Sequence, residues 1–178
     1  MLAVVVLLVV HEKTNGLIAG LYGGYDAFHV RPIGMEVTFR TPVEERSGTR
    51  WAFISRASNG MTVLLAHVLL LLGRRFARPR GVFLKASVCY LTLLALLLDR
   101  LNLSIGPIIH GGDANGIAVG LGASRYPVQT VTFLALIANR ELVTQVLLPT
   151  YRVKSEHISL RPWVQFTCGE TRRSPDSA

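Results

Sequence analysis

Cysteine is nearly missing from this chain: Cys89 lies inside an apolar run and Cys168 near the C-terminal end, and there is no other among 178 residues. A disulfide framework and a cysteine-ligated zinc site both need thiols in pairs at close spacing, so neither is implied. Acidic residues are also scarce, 11 against 19 lysines and arginines, which leaves a formal net charge of +8. No basic residue precedes Leu2, and no small-residue cleavage site follows the first apolar stretch. A removable signal peptide is therefore not expected, and the first segment is read as retained. The glycine-rich region from 111 to 122 contains no strand followed by a phosphate-loop lysine, which argues against a nucleotide site.

What the chain has instead is apolar sequence in runs. Half of its residues are hydrophobic and the mean hydropathy is +0.39, too apolar for an ordinary soluble domain, where such residues fall in amphipathic stripes. The first run starts at Leu2. Met61 to Leu72 joins Trp51 to Ser55 into a second, with Arg56 and Asn59 inside it. Gly81 to Leu98 is the longest, interrupted only by Lys85, and it approaches the roughly 18 to 20 residues that cross a bilayer core. Tyr126 to Leu148 is a fourth and carries Arg140 and Glu141. The expected fold is an all-α membrane protein with about four transmembrane helices and a short β hairpin after the first; three spans plus a re-entrant segment is the alternative. Residues 1–150 form the polytopic membrane domain, and 151–178 a basic, partly disordered cytoplasmic tail.

The distribution of charge decides between possible partners. A basic footprint can attract phosphate backbones, but here the cations gather at segment ends. Arg74, Arg75, Arg78 and Arg80 separate the second and third runs with no acid among them, and Arg152, Lys154, Arg161, Arg172 and Arg173 follow the fourth. The loop from about Gly24 to Arg50 mixes both signs. The positive-inside rule then places both termini in the cytoplasm. The implied partners are the lipid bilayer and other membrane proteins, with no nucleic acid.

Locally, the first helix is expected over Leu2 to Leu21, stopped by Gly23 and Gly24. Alternation in 27–31 and 36–40 around Pro32-Ile33-Gly34 reads as the hairpin. The second helix begins near Trp51 with Gly60 near its middle, and the third ends near Asn102. From Leu103 to Gln129 glycine recurs, and Asp113 could cap a short helix there. Non-helical backbone at membrane depth persists only where protein buries it or water lines it, so this region is a second place to look for function. The span count sets Asp113 beyond the third helix, nearer the surface than His11.

The first place is His11-Glu12, with Asn15 three positions on, inside the first apolar segment. An ionisable pair at that depth is costly unless it is neutralised or used. One reading is a polar pair bonded to a neighbouring helix, with Arg56, Arg100 or Arg140 as counter-charges. The other is chemical. In H-E-x-x-H two histidines one helical turn apart hold zinc and the glutamate activates water; here Asn15 stands at the second histidine. His67 reads as a packed histidine, His29 and His157 as surface positions, and Arg140-Glu141 as an internal ion pair or an interface marker.

Val9 to Gly24, the hairpin, the small-residue segment Phe53 to Gly60 and Gly111 to Gly116 together resemble, in order, the site-2 protease (M50) family of intramembrane zinc metalloproteases. The resemblance implies zinc held by His11 and Asp113, with His110 or Asn15 as further candidate ligands, and Glu12 as general base if the protein is active. Asn15 is the departure: an amide oxygen is a poor zinc donor beside imidazole. The resemblance therefore points to a degenerate, non-catalytic member serving as a binding or structural subunit of a membrane complex. An active zinc protease and an unrelated polytopic subunit or transporter component are the alternatives.

Overall fold

The computed structural model describes residues 1–31, 34–42, 45–78, 81–109, 113–154 and 157–163, the side chains of Ile109 and Asp113 excepted. His110, Cys168 and the end of the tail lie outside the described residues. Helix α1 (Leu2–Leu21) leads into an antiparallel hairpin of β1 (Tyr25–Arg31) and β2 (Gly34–Phe39). Then come α2 (Gly48–Leu71), a single turn α3 (Gly73–Phe76), α4 (Val82–Ser104), a single turn α5 (Gly106–Ile109), α6 (Asp113–Gly120) and α7 (Arg125–Leu142). The last helix loosens into a π turn over Val143–Leu147 before α8 (Leu148–Thr150) closes it. Four helical stretches, Leu2–Leu21, Gly48–Leu71, Val82–Ile108 and Arg125–Thr150, are long and apolar enough to cross a membrane. The protein is an integral membrane protein by these spans, with the hairpin after the first, as the sequence leads one to expect.

Helix α4 is the central element, packed on α1, α2 and α7. Leu7 of α1, Ala66 of α2, Val88 of α4 and Leu147 after α7 share one core with Tyr151. The start of α1, the end of α2, the start of α4 and the end of α7 therefore gather at one end of the bundle. At the opposite end Ala19 packs with Trp51 and Ile54 beneath the hairpin. Many large apolar side chains remain exposed, Leu71, Val82, Phe83, Val131 and Leu134 among them, as a lipid-facing surface requires.

Three helix ends close in the same way. After α1, Gly24 N–H donates to Ala19 carbonyl at 2.8 Å and Gly23 N–H to Gly20 carbonyl at 2.9 Å. After α6, Ala123 donates to Ala118 at 2.9 Å and Gly122 to Val119 at 3.1 Å. After α8, Val153 donates to Leu148 at 2.9 Å and Arg152 to Pro149 at 3.0 Å. This motif needs a left-handed residue, usually glycine. Gly23 (φ 69°) and Gly122 (φ 62°) meet that need, whereas at the third end the residue is Arg152 (φ 57°).

Two elements fold back beside the spans. The hairpin returns along the second half of α1: Tyr25 sits on Gly16, 3.3 Å from a Cβ added there, Lys13 stacks over Phe28 at 4.2 Å, and Val37 N–H donates to Glu12 at 3.2 Å. Helix α6 returns along α2. A Cβ added at Gly120 would meet Ala52 N at 2.4 Å, and one at Gly116 would meet Ser55 Oγ at 2.6 Å. Small residues one turn apart on both helices allow that approach, the usual device for close helix contact in lipid. This is why Gly116 and Gly120 lie in a helix packed on α2.

The contact sets a test. Gly120→Val is expected to destabilise the bundle by about 1–3 kcal/mol or more, because overpacking against backbone cannot relax. Gly60→Ala, where an added Cβ meets nothing within 4 Å, is expected to be neutral or to stabilise by up to about 1 kcal/mol. Detergent-solubilised thermal unfolding of both variants measures the difference.

Candidate functional site

His11 lies halfway along α1 and approaches Asp99 of α4, with Nδ1 and Oδ2 3.7 Å apart and side chains 15% and 9% exposed. That separation is longer than a direct hydrogen bond but within reach of an ionic contact. Asp99 also accepts from Thr62 of α2, whose hydroxyl has the carbonyls of Ser58 and Asn59 at 3.1 and 3.0 Å as competing acceptors. One histidine, one threonine and one aspartate thus join three spans near their middles. Asn139 of α7 adds the fourth span by donating to Leu96 carbonyl at 2.8 Å. Ser58 and Thr92 are also fully buried, on either side of this level; Thr92 bonds its own helix at Val88 carbonyl, 2.8 Å, and the Ser58 hydroxyl has no partner among the described residues.

Glu12 faces another way. Its carboxylate takes the Val37 N–H on the outer edge of β2 and lines a groove of about 560 Å³ between α1 and β1, with Gly16, Leu17, Tyr25 and Phe28. A second groove, about 550 Å³, opens on the far side of α1, where Thr14 and Ile18 meet Asn59, Arg100 and Ile117. Two of the three counter-charges expected for the pair, Arg56 and Arg140, have contacts elsewhere, while Arg100 lines the groove beside Thr14. Arg56 lies over Phe53 at 5.1 Å. Arg140 pairs with Glu141, which makes that dipeptide an internal ion pair, 12% and 17% exposed. Arg140 also donates to Ser159 carbonyl at 3.0 Å and stacks on Trp163 at 4.1 Å, holding 157–163 against α7.

Of the sequence-derived candidates, His11, Glu12 and Asn15 are placed together, Asn15 one turn after His11 and so on the same face of α1. Asp113 is the first residue of α6; its side chain, like all of His110, lies outside the described residues. Its position follows from the contacts of α6. Gly120 lies on Ala52 and Gly116 on Ser55, so each turn of α6 toward its N-terminus moves one turn along α2 toward Asn59 and Thr62. Asp113 therefore starts α6 at the end nearer Asn59. His67 donates within its own helix to Val63 carbonyl, 2.8 Å, and His29 and His157 are exposed.

Sequence reasoning missed Asp99 and Thr62. Asp99 follows Leu98 directly at the end of the longest apolar run, and an acid there carries the same signal as His11. Among the described residues no three histidine, cysteine, aspartate or glutamate side chains are grouped to hold one metal ion. His11 and Asp99 do approach each other. No protein-family model, no curated protein and no solved structure matches this chain.

Removing the carboxylate should be costly. Asp99→Ala leaves His11 and Thr62 facing an apolar gap and is expected to lose about 3–5 kcal/mol, against about 1 kcal/mol for Thr62→Val. A double-mutant cycle of Asp99→Ala with His11→Ala, followed by equilibrium unfolding in detergent, is expected to show a coupling above about 0.5 kcal/mol.

Proposed function

We propose that this chain is a non-catalytic membrane scaffold, a divergent relative of the site-2 protease type, that serves as a binding subunit of a membrane complex with both termini in the cytoplasm. The observation that carries this reading is the bond from Val37 N–H to Glu12. The residue that would activate water in an H-E-x-x-H site instead ties the hairpin to α1. Asn15 stands where the motif's second imidazole would be, and His11 faces Asp99 across the bundle. The hairpin supports the binding role. His29, Val30, Arg31 and Glu36 are exposed on it, and Arg31 and Glu36 pair at 2.8 Å. Polar strand surface lying beside a membrane span needs protein or a watery cavity against it. The cations at the shared end of the helices, Arg74, Arg78, Arg152 and Lys154, support the orientation.

A second reading, a zinc site, is favoured by one feature. The Nδ1 and Oδ2 atoms of His11 and Asp99 stand 3.7 Å apart, close to the roughly 3.3–3.6 Å that separates two ligands each about 2.0–2.2 Å from one tetrahedral zinc. The start of α6 at Asp113 is directed toward the same level. In that arrangement Asp99 joins His11 and Asp113 as a possible ligand. The scaffold reading expects purified protein to carry zinc far below stoichiometry, unchanged by His11→Ala. Stoichiometric zinc lost in both His11→Ala and Asp99→Ala would overturn it in favour of the second. A photo-crosslinker at Val30, 70% exposed, is expected to capture a discrete protein in native membranes; adducts to lipid alone would remove the binding role.

A further inference from the structure

The end of the bundle where the termini of four spans gather holds a cavity of about 740 Å³. Arg74, Arg78, Lys85 and Arg152 line it, and no acid among the described residues does. These cations come from separate stretches of sequence: the turn after α2, the first turn of α4 and the second residue after α8. Like charges brought to one concavity repel, and no acid among the described lining residues offsets that repulsion. Arg74, Arg78 and Arg152 are exposed and Lys85 is half-buried, so the concavity is open to solvent.

Arg152 adds an independent sign. It occupies the left-handed position of a helix-closing motif in which the two other ends of this kind carry glycine, Gly23 and Gly122. A side chain there strains the backbone by roughly 1–2 kcal/mol. Strained residues of this sort tend to sit at ligand clamps. The π turn before α8 lies alongside, with Gln145 and Val146 on the cavity wall, and such turns are frequent at functional sites.

The surroundings select the ligand. Val82, three residues before Lys85 and so beside it on α4, is exposed, and so are Leu71 and Val146. Cations inside the cavity and lipid-facing apolar residues at its rim match a phosphate headgroup joined to acyl chains. Arginine forks suit phosphate oxygens, and basic pockets between spans on the cytoplasmic side bind anionic headgroups. We propose that this cavity binds the phosphate headgroup of an anionic phospholipid, with Arg74, Arg78, Lys85 and Arg152 around the phosphate and the acyl chains along Val82 and Val146. The proposal is independent of the scaffold and zinc readings.

The test uses the full chain in neutral detergent, with native mass spectrometry and thermal unfolding read together. Phosphatidylglycerol is expected to be retained at one molecule per chain and to raise Tm, and phosphatidylcholine with the same acyl chains to do neither. Inorganic phosphate is expected not to displace the lipid; displacement at millimolar phosphate would overturn the lipid as source and leave a soluble phosphate site. Arg74→Gln and Arg152→Gly are each expected to weaken phosphatidylglycerol binding about fivefold. Arg152→Gly relieves the left-handed strain, so its lipid-free Tm should be unchanged or higher, which separates lost binding from lost folding. Arg50→Gln, at the opposite end of the bundle, should bind as wild type. Undiminished binding in both cavity variants, or equal loss in Arg50→Gln, would overturn the site.

Discussion

A carboxylate in the middle of a membrane-spanning bundle must be engaged from more than one side, and Asp99 shows how that requirement organises this protein. Water is absent at that depth, so an unpartnered charge would cost several kcal/mol. Thr62 donates to Asp99 from α2, and His11 approaches it from α1. The apolar contacts around this layer, Leu7, Ala66, Leu96 and Leu147, could be made in several helix rotations, since leucine against leucine is little better than leucine against lipid. The polar contacts admit one rotation for each of the three helices. Asn139 then fixes α7 on the Leu96 carbonyl.

The second constraint is close approach. The hairpin and α6 both return beside spans that already face lipid, and both do so over glycine or other small residues. Gly16 accepts Tyr25, and Gly120 lies against Ala52 backbone. Where a side chain would hold the elements apart, their polar backbone would be left facing lipid. The two folded-back elements flank the His11-Glu12 turn, the hairpin through Glu12 and the α6 side through the groove shared by Thr14 and Ile117. A site in this protein is therefore assembled between a span and a re-entrant element, and not within a helix alone.

Charge is sorted by depth. Within the spans His11, Glu12 and Asp99 each have a named contact, and Arg74, Arg78, Lys85 and Arg152 gather at one end around a concavity with no acid among its described lining residues. Arg140 and Glu141 are the exception, satisfied together with the backbone of 159–163. That arrangement gives the two ends of the bundle different chemistry: one is covered by a mixed-charge hairpin and the other offers a basic concavity.

Much of the fold was legible in the chain. Four apolar runs of spanning length, the glycine pair after Leu21 and the alternating stretch from 27 to 40 follow from bilayer thickness, the left-handed freedom of glycine and the period of a strand. These are local properties, so the order of residues by itself determined the class, the spans and the hairpin. The conspicuous pair His11-Glu12 was equally visible, because an ionisable group in an apolar run stands out without any partner being known. Which partner each residue takes was decided only by the tertiary structure. His11 and Glu12 are adjacent in sequence, yet a 100° step around the helix sends one to Asp99 and the other to the hairpin. Asp99 and Thr62 are 37 residues apart, and no periodicity announces their meeting. Nor does any local rule say that α6 turns back along α2, since that follows from the fit of Gly116 and Gly120 against Ser55 and Ala52.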